Sequence, residues 1–460
     1  MNASANREIL ARAPSFDLCS AAAAVAAATT SAADALERSI AAADAPACRH
    51  AYVRRFDAAA RAAAAAADAA RAAGAPLPPL AGLAVSVKDL FDVAHQPSTA
   101  ASKSMAGAAP AGADCPAVAR LRAAGAALSG HTNLSEFAFS GVGINPHHGT
   151  PLNVATAALD PTPRIPGGSS SGAAVTVAAG AAWAALGSDT RGSIRVPAAL
   201  HGLVGFKNTQ RLTPTEGTVP LSFTLDTACA ITHSVRDAVV LHELLAARRV
   251  HLTGRPLRAR RLALPRSLLD DADATVLRAF ERTLALLRSA GTEIVEIDLP
   301  GDDTPAQSSG QISAAEAWAW HRDRLDAHQA GYDPRVLARI RAGCGLSAAD
   351  YIDRLQARAR WIAKVQVLAS GFDAFVCPTV PVVAPPLQPL LDDDAAFFAT
   401  NALLLRNPSV VNHLDGCALS LPCQQPGELP VGLMIWAPAL GDDTVLDLSL
   451  SIERALAARR

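Results

Sequence analysis

The sequence predicts an α/β fold, a single large domain with a mixed central sheet flanked by helices. Three observations predict it. Short apolar segments alternate with helical ones from about residue 76 to 240 and again beyond about 255. Half of the 460 residues are hydrophobic but only 4% are aromatic, so the core must be built from Ala, Leu, Val and Ile. No tandem repeat or long linker divides the chain, and a chain this long buries roughly three quarters of its unfolded surface.

The elements follow in order. The run 21–28 imitates the apolar part of a signal peptide, but Asp17 precedes it and Ala is only weakly apolar, so it reads as a helix. Ser31 and Asp34 resemble a capping box, with Leu36 and Ile40 on one face of the helix that follows. A second Ala-rich helix, 58–73, is stopped by Gly74 and Pro76. These form a helical N-terminal part, about 1–75. In the core part, about 76–240, strands are expected at 83–87, 126–129, 181–186 and 202–206. A helix is expected at 117–124, with Asp114 as N-cap and Pro116 in its first turn. The C-terminal part, about 255–460, begins with a strand at 262–264. A helix follows with Val276, Phe280, Leu284 and Leu287 on one face and Gly291 as its stop. Beyond it come a strand at 294–299, mainly helix at 318–368, a Pro-rich loop at 377–389, and strands near 418–421 and 431–435. The alternation implies a substantially parallel sheet.

Charge narrows the function. Lys and Arg number 41 against 42 Asp and Glu, a net charge of −1. That excludes nucleic-acid binding by bulk basicity and a polybasic membrane anchor. No stretch of about 18 strongly apolar residues is present, so no membrane span is expected. The eight cysteines are scattered without a CxxC pair, which fits reduced thiols in a cytoplasmic protein. His147 and His148 have no carboxylate at ligand spacing and read as solvent-facing, so no metal is expected.

The chemistry concentrates between Pro166 and Phe206. Two Gly/Ser-rich loops, Gly167-Gly168-Ser169-Ser170-Ser171-Gly172 and Gly187-Ser188-Asp189-Thr190-Arg191-Gly192-Ser193-Ile194-Arg195, flank one apolar segment. Such loops suit a site where backbone N–H groups face a developing oxyanion. A phosphate-binding loop would need a Gly-Lys-Ser/Thr ending, which is absent, so no cofactor is expected. Gly168 to Gly172 also fits G-x-S-x-G around Ser170, but that elbow needs a preceding strand, and the three prolines of 160–166 oppose one. A flexible linker does not explain why the second loop repeats the chemistry of the first.

These loops resemble those of the amidase signature family. Val85-Ser86-Val87-Lys88-Asp89, Thr132-Asn133 before Glu136, Gly205-Phe206-Lys207, and 418–422 with 429–433 add to the resemblance, which spans roughly residues 30–455. It implies Ser193 as nucleophile, Ser169 as bridging serine after a cis peptide bond, and Lys88 as base. It implies an oxyanion hole from the amides of Thr190, Arg191, Gly192 and Ser193. Phe139, Ser140, Gly141, Ser171 and Arg191 are the expected substrate-lining residues. The implied activity is hydrolysis of a carboxylic amide through an acyl-enzyme. The alternative is the glutaminase component of a glutamine-dependent tRNA amidotransferase. The expected partner is a small-molecule amide, with a homodimer left open.

Lysine can act as a base only when neutral. Reaching a pKa of about 7–8 needs a shift of roughly 3 units from its reference. Burial among Gly, Ser and Val supplies such a shift if no carboxylate neutralises the ammonium. Asp89, adjacent on a strand, should face the opposite way. Asp189 and Arg195 read as structural anchors. Arg191, where the resemblance expects glycine, must either pair with an acid and brace its turn or reach toward the substrate.

Overall fold

The computed structural model describes residues 17–301 and 305–459. Its centre is one 11-stranded sheet in the order β1-β3-β2-β4-β6-β5-β10-β11-β9-β7-β8. The strands are β1 (Tyr52–Arg55), β2 (Ala84–Lys88), β3 (Ala127–Thr132), β4 (Ala184–Ser188), β5 (Val204–Lys207), β6 (Ala228–Thr232), β7 (Arg261–Pro265), β8 (Glu293–Ile297), β9 (Ala374–Pro378), β10 (Cys417–Pro422) and β11 (Gly432–Ala437). Helices flank the sheet, and the sheet is mixed.

The sheet is less parallel than the alternation implies. Parallel pairing is confined to β3-β2-β4 and to β8-β7-β9. The strands between them, and the edge strand β1, pair antiparallel. The reason is connectivity: β6 and β10 enter the sheet beside strands that run against them, which apolar patterning within a segment cannot reveal.

Most expected elements lie within a few residues of their observed bounds. Ser31 caps the helix Ala32–Asp44 by accepting the Asp34 amide, and the Ala-rich helix runs Asp57–Ala72. Asp114 is not an N-cap. The helix Pro116–Ala123 starts after Cys115 without a side-chain cap. Asp114 instead accepts the Ala94 amide and pairs with Arg122. The 377–389 loop is bounded by β9, which includes Cys377 and Pro378, and by the short helix Gln388–Asp392. The core is aliphatic as composition requires. Val85, Val87, Leu186 and Leu128 belong to one cluster, and Leu419, Leu433, Ile435 and Phe280 to another.

Two features position the site. Strand β2 is buried along its whole length, so its last residue, Lys88, is delivered into the interior. The helix Ser171–Ala178 lies over the end of β2, where the Ser86 and Thr176 hydroxyls are 2.9 Å apart. Since Ser86 and Lys88 alternate onto one face of the strand, Lys88 emerges under the start of that helix. The parallel neighbours β2 and β4 end together, Val87 opposite Leu186. The carboxyl ends of parallel strands are where open α/β sheets place ligands.

Candidate active site

Lys88 is completely buried. Its Nζ lies 2.7 Å from Ser169 Oγ and 2.8 Å from Ser188 Oγ. It makes no ion pair among the described residues. Burial pushes its pKa down to about 7, against a smaller upward pull from Asp226 and other negative groups. Asp89 does turn away: it accepts the Thr99 and Ala101 amides and the Thr99 hydroxyl, and sits 3.2 Å from His131 Nδ1. Near neutral pH, therefore, a substantial fraction of Lys88 is a neutral amine, held in the interior against a serine hydroxyl.

Ser169 follows a cis peptide bond from Gly168. Its carbonyl accepts the Ser135 and Ser171 amides, at 3.1 and 2.9 Å. Gly168 has no room for a side chain, because a Cβ would stand 2.7 Å from the Gly143 nitrogen and 2.8 Å from Ser135 Oγ. Ser193 lies on the adjoining turn, where its carbonyl accepts the Ser170 amide at 3.3 Å. Its hydroxyl makes no hydrogen bond among the described residues, and the residue is 3% exposed.

The turn 189–195 is organised around Asp189. Its carboxylate accepts the Gly192 amide at 2.8 Å, the Ile194 amide at 3.2 Å and Asn412 Nδ2 at 3.0 Å. It also takes a two-pronged bond from Arg195, at 2.9 and 3.0 Å, with both side chains fully buried. Burial alone would raise its pKa, but the Arg195 charge and these donors hold it well below the usual carboxylate range. Thr190 is fixed from the other side, its hydroxyl donating to Asp226 at 2.6 Å.

This geometry modifies the expected oxyanion hole. The Gly192 N–H is spent on Asp189, so it is not one of the free donors. The amides of Thr190, Arg191 and Ser193 have no acceptor among the described residues. Gly192 itself has φ +125°, and a Cβ there would stand 2.6 Å from Pro408 Cβ. Gly192→Ala should therefore displace the turn, at a cost of about 1–3 kcal/mol. Denaturant unfolding, with ammonia release measured in parallel, checks this.

The expected lining residues separate into two groups. Phe139 presents its carbonyl and ring to Arg339. Gly141 offers its carbonyl to the Gly168 amide at 2.7 Å, which ties this loop to Ser169. Ser140 and Ser171 instead turn their hydroxyls to the framework, toward Asn401 Oδ1 at 3.2 Å and the Asn133 carbonyl at 3.4 Å. Ser140 was a candidate through the resemblance and Ser171 through its place near the presumed pocket, but neighbouring acceptors claim both hydroxyls. Arg191 finds no acid among the described residues. It donates to Ser409 Oγ and the Ala306 carbonyl. His147 is not solvent-facing: its Nε2 is 2.9 Å from Glu136 Oε1 and its side chain is 10% exposed. Among the described residues, no group of three or more His, Cys, Asp or Glu side chains is arranged to hold a metal.

Two residues escaped sequence reasoning. Ser188 contacts Lys88, and its place in the Gly187-Ser188-Asp189 loop at a strand end was an available signal. Arg339 carries no motif. A large cavity of about 990 Å³ lies elsewhere, between the Ala-rich helix 57–72 and β3, lined by Phe56, Ala63, Ala67, Pro78, Val93 and Leu128. None of the site residues lines it.

Comparison with known proteins shows the family. The family model described as Amidase matches residues 34–446. The chain is 35% identical over 384 residues to 2-amino-5-chloromuconic acid deaminase from Comamonas testosteroni, covering 82% of each protein. It is 30% identical over 416 residues to the A component of the glutamyl-tRNA(Gln) amidotransferase from Halobacterium salinarum, covering 82% of this chain and 96% of that one. A crystal structure of an amidase superposes with TM-score 0.86 at 33% identity, covering 96% of this chain and all of the other. The peptide amidase from Stenotrophomonas maltophilia superposes with TM-score 0.80 at 27% identity, covering 97% and 98%.

Proposed function

This chain belongs to the Amidase family, with amidases among its structural neighbours, and from that premise we propose that it cleaves a small carboxylic amide through Lys88, Ser169 and Ser193. The observation that carries the reading is Lys88, a buried amine with no ion-pair partner among the described residues, 2.7 Å from Ser169 Oγ. In the reaction, Ser193 Oγ attacks the amide carbon and its proton passes through Ser169 to neutral Lys88. The amides of Thr190, Arg191 and Ser193 receive the oxyanion. As the tetrahedral adduct collapses, the proton returns through Ser169 to the leaving nitrogen, which departs as ammonia or an amine. Water then repeats the sequence on the Ser193 ester and releases the acid. Asp189 and Arg195 position the turn and touch no reacting atom.

Activity needs neutral Lys88, so the rate should rise with pH through about 7 and level off in alkali. A pH–rate profile checks the sign. A maximum in acid with a fall by neutrality would point to a carboxylate or imidazole base instead.

The reading itself is tested by ammonia release from aliphatic, aryl and ureido amides, with Ser193→Ala as blank. Turnover by the purified chain alone supports a self-sufficient amidase. The tRNA amidotransferase components among its relatives favour a second reading, a glutaminase working beside partner proteins. Glutamine-specific hydrolysis that appears only with such partners would support it.

A further inference from the structure

We propose that Asp226 is a positioning residue for this reaction, a carboxylate set behind Lys88 that stabilises the ammonium Lys88 becomes when it takes the Ser193 proton. The inference rests on the amidase reading and adds a residue to that site.

Lys88 touches two hydroxyls, Ser169 Oγ at 2.7 Å and Ser188 Oγ at 2.8 Å. Ser169 belongs to the proposed relay and Ser188 does not. Ser188 and Asp226 both line one small cavity of about 10 Å³, with Thr215, Thr218 and Thr227 also in its wall. That is about the room a single water needs, and residues of this kind offer it polar partners. The sheet fixes the juxtaposition. The Asp189 amide donates to the Thr227 carbonyl at 2.9 Å, and the Thr227 amide returns a bond to the Asp189 carbonyl at 3.2 Å. Asp226, one residue before Thr227, therefore falls beside Thr190, one residue after Asp189. Its carboxylate accepts the Thr190 hydroxyl at 2.6 Å and the Leu221 and Ser222 amides at 2.9 and 3.0 Å.

Asp226 forms no ion pair among the described residues, and neither does Lys88. The negative groups that act on Lys88 are Asp226, Cys229 and Asp189. Asp189 is already paired with Arg195. Burial pushes the Cys229 thiol well up, so it stays protonated and uncharged. Asp226 is thus the anion left to face the amine. On its other side stands Glu316, from the helix Pro305–His328, whose carboxylate is taken up by the Ser222, Thr224 and Tyr351 hydroxyls. Desolvation raises the Asp226 pKa to about 6, with Glu316 adding to the rise and the three hydrogen bonds opposing it. Asp226 is therefore an anion over the range in which Lys88 titrates.

During attack the Ser193 proton reaches Lys88 through Ser169, and an ammonium appears in the interior. No proton passes on to Asp226. Its charge favours the ammonium from behind, on the Ser188 side. Without that charge the ammonium is less stable, so Lys88 titrates at lower pH and is a weaker base in the attack.

The test is the pH–rate profile of the wild type, Asp226→Asn, Asp226→Ser and Asp226→Glu. Asparagine has the shape of aspartate and can keep all three bonds, accepting the two amides and donating to Thr190 Oγ. Serine is a second neutral replacement. The rising limb should move to lower pH by roughly 0.5–1 pH unit in both neutral variants, as expected for losing one charge at intermediate range, and the plateau should fall. Asp226→Glu keeps the charge and should keep the limb at the wild-type pH. A residue that merely braces the turn would lower the plateau and leave the limb in place, so an unmoved limb in the neutral variants overturns the proposal. A limb that moves as far in Asp226→Glu overturns it as well. A second measurement needs no turnover. The chain has four lysines, at 88, 103, 207 and 364, and NMR of labelled lysine ε-carbons follows the Lys88 titration in Ser193→Ala with and without Asp226→Asn. The same downward displacement should appear there, and its absence overturns the proposal while leaving the amidase reading intact. A displaced Lys88 titration in a protein whose wild type hydrolyses no amide upholds the electrostatic pairing and rejects the amidase reading.

Discussion

Ser193→Ala and Lys88→Ala are each expected to lower amide turnover by several orders of magnitude, and the double variant should be little worse than either single one. Without the Ser193 hydroxyl no acyl-enzyme forms, and without the Lys88 amine nothing accepts the proton that the attack releases. Both losses stop the same step, so their effects cannot add. Ser169 lies 2.7 Å from Lys88 Nζ, and in the proposed relay Ser169→Ala should stop the same proton transfer. Steady-state ammonia release by the wild type and these variants checks this. Near-normal turnover by Lys88→Ala on a good substrate would remove Lys88 from the mechanism. Losses that multiply would show that the residues do not act as a unit.

The second large effect is on stability. Asp189→Ala should destabilise the fold by about 3–5 kcal/mol, the cost of leaving one partner of a buried ion pair unpaired. Arg195 would keep its bonds to the Pro408 carbonyl and Asn412 Oδ1 but lose its counter-charge. The Gly192 and Ile194 amides would lose their acceptor at the same time. Equilibrium denaturation of the wild type and the variant measures the difference, and unchanged midpoints would refute it. The pH dependence has a definite sign. The folded-state pKa of Asp189 is depressed, so its contribution is present above the ordinary carboxylate range. It is lost only as pH falls through the lower folded value, in strong acid.

How much of this was legible in the sequence varies by element, for physical reasons. Strands β2 and β3 were visible because each is a short apolar run bounded by turn residues. The lysine after the first of these runs was singled out by the resemblance, which implies a base at that strand end. The helix Ser171–Ala178 was not visible as a helix. All but its last residue are buried, so no amphipathic period marks it, and its Ser-Gly start resembles a loop. The helix Asp394–His413 contains Pro408, a residue that usually argues against a helix interior. Strand β1 is four residues long and pairs only at the sheet edge, too short for a pattern.

The candidate site shows the same division. Lys88, Ser169 and Ser193 sit in the motifs that carry the family resemblance. The diversion of the Gly192 amide to Asp189, the Ser188 contact with Lys88, and the turning of Ser140 and Ser171 to the framework depend on loop paths that no local pattern encodes. Arg339 is the extreme case. It comes from a helix about 150 residues downstream of the signature loops and becomes notable only because no acid among the described residues faces it.

The central claim is that Ser193 carries the acyl group. The most direct measurement is intact-protein and peptide mass spectrometry on enzyme acid-quenched during turnover of a good amide. A mass increase equal to the acyl group is expected on the peptide containing Ser193, absent from Ser193→Ala. An adduct on a different residue, or a pre-steady-state burst of ammonia with no acylated Ser193, would contradict it.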